Sequence, residues 1–84
     1  MSKKEKLVQK IRNNPKTVSF EDLDSVLTWY GFVKRSSSSG TSHVYYTLGV
    51  YQISVPYRRP HVKATYVRQV LDILDQIDEE QELL

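Results

Sequence analysis

The sequence predicts an α+β fold, a three-stranded antiparallel sheet with helices on one face, and three observations carry that expectation. Apolar residues recur at helical spacing in two stretches, first Phe20, Leu23, Val26, Leu27 and Tyr30, then Val67, Val70, Leu71, Leu74 and Ile77. Each set gathers on one side of a helix. Between the stretches lie three short segments that alternate in polarity and are bounded by turn formers, as strands do. The tight connection at Leu48-Gly49 makes the sheet an antiparallel meander. The order is α-β-β-β-α behind an extra N-terminal helix.

That first helix covers residues 3–13, with Leu7, Val8 and Ile11 on one stripe and Lys4, Lys6, Lys10 and Arg12 around it. Asn14-Pro15 ends it, because the residue before a proline is pushed out of the α region. Ser19 is placed to cap the second helix, Glu21 and Asp22 sit at its positive end, and Val18 can staple onto Leu23. Gly31 stands where a left-handed residue closes a helix. The first strand is expected over residues 32–35 and the polar run Ser36-Ser37-Ser38-Ser39-Gly40 reads as a loop. In the second strand, residues 42–47, Val44 and Tyr46 face one way and His43, Tyr45 and Thr47 the other. The third, residues 50–55, carries Tyr51, Ile53 and Val55 on one side and stops at Pro56. A basic loop, residues 57–63, leads to a last helix that begins near Thr65 and frays into an acidic end.

Eighty-four residues make one domain, 1–84, comprising a basic helical extension (1–17), a core (18–77) and an acidic tail (78–84). The net charge of +2 hides a segregation: residues 1–68 hold all twelve Lys and Arg with four acids, whereas residues 69–84 hold six acids and no base. A basic body is the electrostatic footprint of a nucleic-acid binder. The acidic end should then point away from any binding face. With no cysteine, and two histidines eighteen positions apart, no zinc pattern is recognisable and no metal or cofactor is expected. No apolar run approaches the roughly 18 residues of a membrane span, so the expectation is a soluble cytoplasmic protein with no membrane partner.

Gly40-Thr41-Ser42-His43, followed by Val44-Tyr45-Tyr46-Thr47, sets one imidazole at the start of a strand and off the core face. Spacing alone makes it an ordinary exposed histidine. Lys34 and Arg35 form one basic cluster and Arg58, Arg59 and Lys63 a second. His61 reads as a structural or surface residue. Trp29 lies off its helix's apolar stripe and is expected to pack against the N-terminal helix, with a place in a partner site as the other reading. Tyr45 and Tyr51 are expected to form a cross-strand pair, with stacking on unpaired bases as the other reading.

A helix ending Trp29-Tyr30-Gly31-Phe32, a strand with Lys34-Arg35, a small-residue turn into Ser42-His43, a strand ending Val55-Pro56 and a closing helix together resemble the HicA toxins of bacterial and archaeal toxin–antitoxin pairs. The likeness spans residues 18–77. It implies a fold like that of double-stranded-RNA-binding domains, an mRNA-cleaving endoribonuclease with His43 as its catalytic residue, and a HicB antitoxin as inhibitory partner. The chain departs from the family's Gly-Ser-His by inserting Thr41, and adds the serine-rich loop and the N-terminal helix.

Metal-free RNA cleavage needs a group to take the ribose 2'-hydroxyl proton, a group to protonate the leaving 5'-oxygen, and positive charge on the phosphorus centre. Histidine suits the proton work because an imidazole ordinarily titrates at about 6.5. A single histidine fills one role at a time; the other falls to Tyr45, a lysine, water or the substrate. Lys34 and Arg35 are candidates for phosphate stabilisation, Ser42 for a hydroxyl hydrogen bond, and Arg58, Arg59 and Lys63 for holding RNA phosphates. The alternative expectation is a noncatalytic RNA-binding module of the same fold, with His43 as a contact only.

Overall fold

The computed structural model describes residues 3–36 and 43–83. Its elements are α1 (Lys3–Asn13), a 3-10 turn (Pro15–Thr17), α2 (Phe20–Trp29), β1 (Val33–Ser36), β2 (His43–Leu48), β3 (Tyr51–Pro56) and α3 (Ala64–Leu83). The sheet is antiparallel throughout in the order β1-β2-β3, and the α+β expectation holds. Among the described residues no helix is long and apolar enough to cross a membrane. Most of the serine-rich loop, Thr41 and the Ser42 assignment lie outside the described residues.

The capping chemistry read from the sequence is what starts α2: the Ser19 hydroxyl accepts from the Asp22 backbone N–H at 3.2 Å, satisfying a donor that the first helical turn leaves unpaired. Gly31, at φ +103, turns the chain after the helix, and Phe32 is then buried ahead of β1 instead of opening the strand. At the next turn Gly49 takes φ +58 together with Val50, which is 88% exposed and so belongs to the turn, not to β3. This two-residue connection fixes Leu48 opposite Tyr51, Tyr46 opposite Ile53 and Val44 opposite Val55.

Directly opposed residues share a sheet face. One face therefore presents Tyr46, Ile53 and Val55 to Leu23, Val26, Leu27, Val67, Val70 and Leu74 of the helices in a single buried core. The other face carries Val33, Arg35, His43, Tyr45, Thr47, Gln52 and Ser54. Tyr45 opposes Ser54 on that open face whereas Tyr51 opposes Leu48 beneath the helices, so the expected Tyr45–Tyr51 pair does not form. The Gly49-Val50 turn sets this register, and the two rings end on opposite sides.

The last turns of α3 are anchored through their acids. Arg12 forks onto the Asp75 carboxylate, the Tyr30 hydroxyl donates to Asp78 at 3.2 Å, and the Tyr51 hydroxyl donates to Glu80 at 2.6 Å. Three of the six acids of the C-terminal end, Asp75, Asp78 and Glu80, are thus engaged by α1, by the residue that follows α2 and by β3. Trp29 departs from expectation: its side chain stays 46% exposed. Helix α1 instead meets its backbone, where the Lys4 ammonium donates to the Trp29 carbonyl at 3.3 Å and lies 4.4 Å from the centre of the Tyr30 ring.

Candidate functional site

His43 opens β2 and stands opposite Pro56, the last residue of β3. Antiparallel pairing therefore delivers the chain leaving β3 directly to the histidine. The next residues, Tyr57 and Arg58, together with Lys63 just before α3 and Tyr66 in its first turn, complete a pocket of about 260 Å³ around His43 and Pro56. Two long-range contacts hold this loop in place. The buried Val62 donates its N–H to the Val18 carbonyl at 2.8 Å, and the Tyr57 ring meets Phe20 edge-on at 5.0 Å between centroids. The Lys63 carbonyl accepts from Tyr66 at 3.0 Å and Val67 at 3.3 Å, which begins α3 beside the histidine.

Of the expected site residues, the structure brings His43, Arg58 and Lys63 together. Arg59 turns away from them: its guanidinium faces Glu21 at 3.6 Å, donates to the Tyr57 hydroxyl and lies over the Tyr57 ring at 5.5 Å. Lys34 is on the helix-covered side of the sheet. It opposes Tyr46 and its ammonium pairs with Asp24 at 3.2 Å, so it faces away from His43. Strand alternation is what puts its ammonium beside Asp24 and not beside the histidine. Arg35 is exposed on the open face, the face of His43, opposite Tyr45. His61 is exposed.

Tyr57 and Tyr66 are pocket residues that the sequence reasoning did not single out. Tyr66 follows Lys63 by three positions, so the residue before α3 and one in its first turn come to the same pocket; that spacing was the available signal. Nothing local marks Tyr57, whose place depends on Phe20 more than thirty positions earlier.

Electrostatically, the pocket is one-sided. It is lined by an imidazole, a guanidinium, an ammonium and two phenols, with no carboxylate. An anion entering it meets only donors and positive charge, which stabilise a phosphate and any charge that builds up on it. The imidazole can move a proton at that phosphate. Among the described residues no group of three or more His, Cys, Asp or Glu is placed to hold a metal ion. Comparison of the chain with protein-family models, with curated proteins and with solved structures finds no match.

Proposed function

We propose that this protein is a toxin of the HicA type, a metal-independent endoribonuclease that cleaves mRNA in the cytoplasm and is held inactive by a HicB-like antitoxin. The observation that carries the reading is the carboxylate-free pocket in which His43 stands with Arg58 and Lys63. The sequence resemblance over residues 18–77 supports it independently. In this mechanism Arg58 and Lys63 hold the scissile phosphate and His43 takes the 2'-hydroxyl proton. The freed 2'-oxygen forms a bond to phosphorus as the bond to the 5'-oxygen breaks. That leaving oxygen takes a proton from Lys63, Tyr66 or water, leaving a 2',3'-cyclic phosphate on one product.

Purified protein is expected to cut single-stranded RNA in EDTA and to yield products ending in the cyclic phosphate or its hydrolysis product. Activity lost in EDTA and restored by magnesium would overturn the mechanism. RNA that is bound but stays intact would instead favour the noncatalytic RNA-binding module, which draws on the same basic pocket.

The open sheet face is the surface the antitoxin is expected to cover. It carries His43 and, half exposed, Val33 (57%) and Tyr45 (46%), with Arg35 beside them; an aromatic anchor and a cation suit an acidic protein partner. Amide exchange in the complex should slow across residues 43–46. A tight complex with exchange there unchanged and RNA still cut would exclude occlusion as the means of inhibition.

A further inference from the structure

Four of the described cations are held in ion pairs. Lys10 pairs with Asp22, Arg12 with Asp75, Lys34 with Asp24 and Arg59 with Glu21. By contrast, the side chains of Lys3, Lys6, Lys16, Arg35, Arg58, Lys63 and Arg68 have no ion-pair or hydrogen-bond partner among the described residues, and neither has His61. Of these, Lys16, Arg58, His61 and Lys63 converge. They line a second hollow of about 510 Å³, floored by Pro60 and Val62, that shares Arg58 and Lys63 with the pocket of His43. The hydrogen bond from Val62 to the Val18 carbonyl creates it, because it draws the loop after β3 against the segment that follows the Pro15–Thr17 turn and so sets Lys16 beside His61. No acid lines either hollow.

We infer that Lys16 and His61 form a second phosphate subsite, contiguous with the His43 pocket across Arg58 and Lys63, so that the substrate is an RNA strand engaged through successive phosphates. The inference rests on the reading of the His43 pocket as an RNA site and extends it in one direction along the strand. Unpaired positive charge gathered in one place is repulsive to itself and is stabilised by a polyanion laid across it, with release of the polyanion's counterions. An RNA strand supplies its charges in series, which matches two hollows joined through shared cations. A single bound phosphate would leave the second hollow unused.

The test uses the full chain carrying His43→Ala, so that binding is read without cleavage, with and without Lys16→Gln and His61→Gln. Binding of a uridine dinucleotide and of a longer oligouridylate is measured across a salt series. For the longer strand the double substitution should weaken binding about tenfold and lower the salt slope by about 0.7 for each phosphate released. The dinucleotide fills only the His43 pocket, so its affinity should change by less than about twofold; that result also shows that the variant is folded. Three outcomes overturn the subsite: unchanged affinity and slope for the longer strand, an equal loss on both ligands, or competition by poly-glutamate as strong as by RNA of the same length, which would assign the surface to an acidic protein. Length-dependent binding that vanishes in the double variant, in a wild-type protein that cuts no RNA, would sustain the subsite while removing the catalytic reading.

Discussion

His43→Ala is expected to lower RNA cleavage by about a hundredfold to ten-thousandfold, the range that a positioned general acid or base contributes, while shifting stability by no more than about 0.5 kcal/mol. The second half follows from the placement of the residue. His43 is exposed at the first position of β2, its partner across the ladder is Pro56, and it is not among the buried core residues. Removing the imidazole leaves the backbone pairing in place and opens no cavity. The measurement is the cleavage rate of a labelled RNA together with a urea titration of both proteins. A folded variant that cuts at the wild-type rate would sink the assignment of the pocket. Lys34→Ala is the informative companion, because its half-exposed ammonium pairs with Asp24 on the other side of the sheet, so its loss should leave cleavage unchanged and cost at most about 1 kcal/mol of stability.

That contrast shows where sequence reading reached and where it stopped. Helix α2 was legible from end to end because each signal is local: Ser19 and Asp22 are three positions apart, and Gly31 follows the last turn directly. The facing of β2 was equally legible, since a period of two puts Val44 and Tyr46 on one side and His43 on the other wherever the strand begins. Lys34 is a different case. Alternation separates it from Arg35, yet what distinguishes a phosphate ligand from a structural cation is the carboxylate that meets it, and Asp24 comes from another element. The basic loop shows the same limit: Arg58, Arg59 and Lys63 are equivalent as a charge cluster, and only the contacts of Val62 with Val18 and of Tyr57 with Phe20 send Arg59 to Glu21 and leave the other two beside His43. The boundary errors at Phe32 and Val50 arose because an apolar residue next to a strand continues its pattern whether or not the backbone pairs.

The largest stability effect is expected at Tyr46. Its side chain is 1% exposed, and its hydroxyl donates at 2.6 Å to the Asp24 carboxylate oxygen that also meets Lys34, so a single phenol fills the core and bridges β2 to α2. Tyr46→Ala removes both functions and should cost about 3–5 kcal/mol, as for other large aromatic truncations in cores. Tyr46→Phe keeps the packing and forfeits only the hydrogen bond to a charged acceptor, about 1.5 kcal/mol, at the low end because Lys34 remains with Asp24. The pH dependence separates the two contributions. Burial first, and the Asp24 carboxylate second, push the Tyr46 hydroxyl well above the ordinary tyrosine value of 10.0. With the folded pKa raised, ionisation favours the unfolded chain once pH passes about 10. The bond's contribution is therefore complete below that pH and is lost progressively above it. Urea midpoints of wild type and Tyr46→Phe should differ by a constant amount from neutral pH to about 9 and then converge. Tyr30, Tyr51 and Lys34 are common to both proteins, so the convergence reports Tyr46 alone. A gap that stays constant or widens above pH 10 would mean that the hydroxyl does not donate to Asp24 in the folded protein, and the bridge between β2 and α2 would then rest on ring packing alone.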